Sequence, residues 1–290
     1  NEISDASLKK VARRLSDPNE VKNSKQLPFR FLSAYKVLEE LPHSQARMIL
    51  GDAIRKALDL STGNVTQLPG KNLIMVDTSG SMGAFLELPP RKGKTGKMEQ
   101  PRSNIKRAEI GAVLGAIVAR QAFGEVYAWA DYAKEVRIQP GADAITIANA
   151  VMATNVGWGT MMAQSFKQAT ANYTKDFDRV MLFTDMQSGD DFWSAVQEYN
   201  QYRAYRGKPA LKVYVLDLSG YKVSALPAKV PNCFQLAGWS DRMLNWLSQE
   251  EATPASIIET LVDIGKDVIN GTYKRPSLVT DENETEEDAE

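Results

Sequence analysis

Apolar residues three and four positions apart run through LKKVARRL, FRFLSAYKVLEEL and ARMILGDAIRKALDL, so the stretch from Ser7 to Leu60 is predicted to form three helices. Pro28 and Pro42 sit at or just before helix starts, where a missing amide donor costs little. A polar linker containing Gly and Pro, Ser61 to Gly70, then leads into LIMVD, an apolar run without alternation. Such a run predicts a strand buried on both faces, as in a parallel sheet. Beyond it strand and helix alternate. We expect an apolar helix over about 105–123, strands at EVYAWA and EVRI, and helices from Asp143 and from Thr160. A strand at RVMLFTD, a helix from Asp191 to Tyr205, a strand at LKVYVLDL and helices near Met243 and Ile257 complete the series. This order predicts an α/β fold: a mostly parallel sheet with helices on both faces, preceded by a short all-helical segment. The strands flanking Asp131-Tyr132 are close enough for a hairpin, which makes one edge strand antiparallel.

Composition adds bounds to this picture. With 290 residues, 43% of them hydrophobic and 24% charged, the chain can bury a full core. The net charge of −1 excludes a surface that is basic throughout, although local patches can still meet phosphates. A single cysteine, Cys233, excludes an internal disulfide framework and any thiolate-only metal cage, so a cytoplasmic setting is expected. No apolar stretch reaches membrane-spanning length, and no membrane partner is expected. The opening NEISDASLKKVARR has neither a signal-peptide core nor an initiator Met, which suggests a fragment or a processed product. The chain divides into a helical segment at 1–64, an α/β domain at 65–272, and an acidic tail at 273–290 that is expected to be disordered.

Three segments expected at the carboxyl edge of the sheet carry oxygen ligands: Asp77-Thr78-Ser79-Gly80-Ser81, Gly157-Trp158-Gly159-Thr160 and Phe183-Thr184-Asp185-Met186-Gln187. A hard cation such as Mg²⁺ accepts such a mixture, taking neutral hydroxyls when one or two carboxylates balance its charge. Each residue also has a local reading, since Asp, Ser and Thr cap helices and turns. Catalysis has little support. His43 is the only histidine and lies before Ser44 in the helical segment, and no general base suggests itself at the sheet edge. The GKT within RKGKTGK is not a P-loop, because the position requiring its first glycine is Leu88.

Asp77-Thr78-Ser79-Gly80-Ser81 resembles the Asp-x-Ser-x-Ser signature of von Willebrand factor A domains, whose metal-ion-dependent adhesion site is completed by a Thr and an Asp from two further loops. The resemblance implies a von Willebrand A-like (Rossmann-like) fold, with Asp77, Ser79, Ser81, Thr160 and Asp185 holding Mg²⁺ or another divalent cation. PFRFLSAYKVLEE, ILGDAIRKALDL, GWGT, FTDMQ, EYNQYRAYRGKPALKVYVLDL and LAGWSDRMLNWL are in turn similar to the corresponding parts of Ro autoantigen-type ribonucleoproteins of the TROVE class (telomerase, vault and Ro), over roughly 27–264. In that family a ring of helical repeats precedes the A domain, encloses the ends of misfolded RNAs, and binds small structured Y-type RNAs on its outer surface. The bulk of that ring has no counterpart in these 290 residues. The helices before Leu60 are therefore expected to be its last repeat, or a surface that docks a separate helical-repeat chain.

The resemblance implies a non-enzymatic, RNA-binding component of a cytoplasmic ribonucleoprotein, with a Y-like or misfolded RNA as partner. The basic stretch with Arg91, Lys92, Lys94, Lys97, Arg102, Lys106 and Arg107, which looks inserted relative to the family pattern, would contact phosphates; its bland alternative is a solvated loop. Trp158, between glycines, either stacks on a base, anchors a partner, or fills its own loop. The rival function is a protein-interaction module whose cation captures a partner's Asp or Glu without RNA. A metal-dependent hydrolase is the third.

Overall fold

The structure, a computed structural model, describes residues 4–24, 26, 28–62, 68–87, 91–92, 98–99, 102–219, 224–227 and 230–237. The helices expected near Met243 and Ile257 and the acidic tail lie outside these residues. Four helices, not three, come first: α1 (Asp5–Leu15), α2 (Pro18–Ser24), α3 (Pro28–Glu39) and α4 (Gln45–Thr62). The extra one, α2, is a seven-residue helix that begins on Pro18 and buries only Val21, too little to leave a periodic signal.

Strand β1 (Leu68–Asp77) opens the sheet, and a 3₁₀ turn (Gly80–Gly83) follows it. The segment between this turn and Arg107, which includes the basic stretch, forms two short antiparallel pairs, β2 (Phe85–Glu87) with β5 (Arg102–Lys106) and β3 (Arg91–Lys92) with β4 (Met98–Glu99). After α5 (Arg107–Gln121) come β6 (Ala122–Trp129), β7 (Ala133–Glu135), α6 (Ala144–Ala153), α7 (Met162–Ala169), β8 (Arg179–Thr184), α8 (Phe192–Tyr205), β9 (Lys212–Asp217) and β10 (Cys233–Ala237). The six-stranded sheet has the order β10-β9-β8-β1-β6-β7, parallel throughout except for the β6–β7 edge pair. This is the mostly parallel, helix-covered α/β fold that the alternation predicts.

The unbroken apolar runs follow from burial on both faces. Ile74 and Val76 of β1, Met181 and Phe183 of β8, and Tyr214 and Leu216 of β9 join one core with α5 and α6. Their neighbours Leu73, Met75, Val180, Leu182, Val213 and Val215 join a second core with α7 and α8. The first core also takes in Phe31 and Leu32 of α3 and Ile54, Ala57 and Leu58 of α4. Polar links tie α4 down further: Arg55 Nη2 lies 2.6 Å from Asp143 Oδ2, and Asp59 Oδ1 accepts from the Ala144 amide at 2.9 Å.

Chain direction reverses about β1. From β1 the chain crosses by α5 on one face to β6, whereas from β8 it crosses by α8 on the other face to β9. The carboxyl ends of the adjacent strands β1 and β8 therefore flank a topological switch point, where open α/β sheets form their ligand crevice. Asp77 ends β1, and Asp185 directly follows β8.

Candidate metal centre

At the end of β1 the Asp77 carboxylate is fully buried and doubly hydrogen-bonded. Its Oδ1 accepts from the Ser79 amide at 2.9 Å, and its Oδ2 accepts from the Thr184 hydroxyl, across the strand pair, at 2.6 Å. Burial pushes the Asp77 carboxyl up to about 7, the hydrogen bonds from Thr184 and Ser79 opposing it and the nearby Asp185 charge adding to it. Ser79 is buried, and its Oγ lies 3.3 Å from the Oγ of Ser81, so the alternation in Ser79-Gly80-Ser81 sets two hydroxyls side by side.

Asp185 is also fully buried. Its Oδ1 accepts a long bond of 3.4 Å from the Gln187 amide, while Oδ2 has no hydrogen-bond partner among the described residues. Arg107 Nη1 lies 3.8 Å from Oδ2. Met186, the next residue, is buried with φ of 69°, a left-handed conformation uncommon for a long side chain, so the turn out of β8 is held by its surroundings.

Hydrogen bonds stitch the Thr160 loop to both neighbours. The Gly80 amide donates to the Trp158 carbonyl at 3.0 Å, and the Gly189 amide donates to the Thr160 carbonyl at 2.7 Å. Thr160 does not cap the following helix: α7 has Met161 as its N-cap, and Asp190 accepts from the Ala163 and Gln164 amides in its first turn. The structure thus joins the three expected loops at one edge, with Asp77, Ser79, Ser81 and Asp185 on two of them and Thr160 on the third.

The donor set suits a hard divalent cation. Two buried carboxylates, one with an oxygen lacking a hydrogen bond, and two adjacent hydroxyls offer oxygen alone. Among the described residues no three His, Cys, Asp or Glu side chains gather, so a cation here would rest on this mixed set.

Two residues acquire roles that the sequence reading missed. Thr184 precedes the expected ligand Asp185, yet its hydroxyl secures Asp77, a contact between residues 107 positions apart that no local pattern signals. Arg107 corrects an expectation. It starts α5, is buried, and directs its guanidinium toward Asp185, so it does not fit the phosphate-contact role expected of it. Lys106 is exposed. Arg91, Lys92 and Arg102 lie on the short antiparallel strands, and Lys94 and Lys97 fall outside the described residues.

The fold is an α/β one of the von Willebrand A-like kind. The fold is similar to that of the Ro (RSR) protein of Deinococcus radiodurans, with a TM-score of 0.63 and 19% identity over 87% of this chain and 50% of that one. The chain thus spans half the length of that protein. An uncharacterized membrane spanning protein from Vibrio fischeri also matches, at 13% identity over 62% of this chain and 96% of that one, but its TM-score of 0.24 bears no argument. No protein-family model and no curated protein matches the chain in sequence. Among the described residues no helix is long and apolar enough to cross a membrane.

Proposed function

We propose that this chain is an RNA-binding component of a Ro-type cytoplasmic ribonucleoprotein whose A-type domain holds Mg²⁺ or a similar divalent cation. The fold shared with a Ro protein supports the first half of this reading. The observation that carries the second is the buried Asp185 Oδ2 left without a hydrogen bond across the crevice from Asp77. Asp77, Ser79, Ser81 and Asp185 would hold the ion, with Thr160 contributing from the loop joined to both. The cation supplies a positive centre for an incoming phosphate oxygen or carboxylate. The chain's own residues build a binding device: His43, the single histidine, lies on the exposed connection between α3 and α4 and offers the crevice no base.

Titration of the chain with a Y-like stem-loop and with a single-stranded RNA tests this reading. Binding that weakens with added salt supports it. Loss of Mg²⁺ binding in Asp77→Ala assigns the ion to this edge. Absence of RNA binding at low salt, with Mg²⁺ binding intact, would replace the RNA with a protein partner that donates a carboxylate.

A further inference from the structure

A cavity of about 320 Å³ opens beside the candidate metal edge, lined by Ser79 and Gly80 at the start of the 3₁₀ turn, Lys106 from the end of β5, and Thr154, Asn155 and Trp158 from the loop after α6. Its size lies at the small-ligand end of natural pockets. Trp158 is 81% exposed, although the loop that bears it is tightly held. Asp131, at the β6–β7 turn, accepts from the Trp158 amide at 3.1 Å and from the Gly159 amide at 2.8 Å, and its own amide donates to the Val156 carbonyl. The Trp158 carbonyl is engaged by Gly80. Both flanking glycines are required by this grip: a Cβ at Gly157, where φ is +89°, would lie 1.8 Å from Asp131 Oδ2, and one at Gly159 would lie 2.1 Å from Oδ1.

A tightly held loop that leaves Trp158 exposed offers a stacking surface at little cost in ordering the backbone. The neighbours define the ligand's chemistry. Lys106 brings an ammonium group and Thr154 a hydroxyl. Asn155 has its side-chain oxygen engaged by the Gly157 amide at 3.2 Å, which leaves its NH₂ to donate outward. Met152, Ala153 and Val156 add apolar wall beside these polar groups, so the cavity can meet the flat face of a base as well as its edge. An unpaired nucleotide finds a stacking surface, a cation for its phosphate and donors for its base edge.

We propose that this cavity binds one unpaired RNA nucleotide, its base stacked on Trp158 and its phosphate at Lys106, beside the metal edge. The inference rests on the RNA-binding reading above and specifies where a single strand engages. A base held in a duplex stack cannot enter, so the pocket selects unpaired RNA.

The test uses the full chain and a fluorescein-labelled single-stranded RNA decamer, with a duplex of the same length as comparison, in anisotropy titrations at low and moderate salt. Trp158→Ala is expected to weaken single-strand binding about tenfold or more, with duplex binding unchanged, and Trp158→Phe is expected to restore most of it. Lys106→Ala is expected to lower the salt slope by about one unit. Because Trp158 is exposed, these variants should fold like the parent, and circular dichroism verifies that. Equal single-strand affinity in parent and Trp158→Ala overturns the pocket while leaving RNA binding intact, and assigns the indole to a protein partner. No RNA binding by the parent itself overturns both readings.

Discussion

Arg107 Nη1 stands 3.8 Å from Asp185 Oδ2, with both side chains almost completely out of solvent. The carboxylate assigned to the cation thus already has a fixed positive neighbour, which tempers the cost of burying it. Arg107→Ala is expected to lower the melting temperature in EDTA by several degrees, since a buried charge left unpaired costs about 3–5 kcal/mol. Mg²⁺ should return more stability to this variant than to the parent. Thermal unfolding with and without Mg²⁺ measures both effects, and a variant no more responsive to Mg²⁺ than the parent would detach Arg107 from the cation edge.

The buried Asp77 carboxyl links stability to pH. Its folded value of about 7 lies above the ordinary 3.8, so the ion-free folded state holds the proton more firmly than the unfolded chain. The stability that this group contributes is fully present below pH about 4 and is lost as pH rises through about 7. A divalent cation binds the ionised form, so Mg²⁺ should raise the melting temperature more at pH 8 than at pH 5. Equal shifts at the two pH values would place the ion elsewhere.

Thr184→Val keeps the shape of the side chain and removes its donor. The buried Asp77 then loses a 2.6 Å hydrogen bond. A loss of about 1–3 kcal/mol is expected in urea unfolding at pH 8. At pH 5, where Asp77 is largely protonated, the loss should be smaller.

Gly157→Ala meets Asp131 at a distance no Cβ tolerates and adopts a strained φ, so a cost of about 1–3 kcal/mol is expected. Asp131→Ala relieves the clash but releases the Trp158 and Gly159 amides. Both variants should raise hydrogen exchange at residues 157–159, and protection equal to the parent's would show that Asp131 does not fix this loop.

Legibility in the sequence followed burial. Strands β1, β8 and β9 lie in the middle of the sheet, so apolar residues fill both faces and their runs are unmistakable. At the edge, CFQLA of β10 is only half-buried and carries no such signature, although it pairs in parallel with β9. Strands β2 to β5 were missed for a related reason: RK and RSNIK hold charged and polar residues disfavoured in strands, and only cross-strand pairing organises them. Asp77, Ser79 and Ser81 were visible because their spacing is local. The grip of Asp131 on the Trp158 loop joins residues 27 and 28 positions apart and becomes visible only once β6 and β7 have paired.

The shared core of α4 and the sheet bears on where this chain can be cut. Residue 64 looks in sequence like a seam between helices and sheet, yet Ala57 and Leu58, on the amino-terminal side of it, have no exposed surface and pack in the same core as Ile74 and Val76. A chain started at β1 would carry an open apolar trough where α4 had lain, and Asp143 would lose Arg55. The smallest excisable unit therefore begins upstream of α3, and a helical stretch resembling the end of one domain serves as the wall of the next.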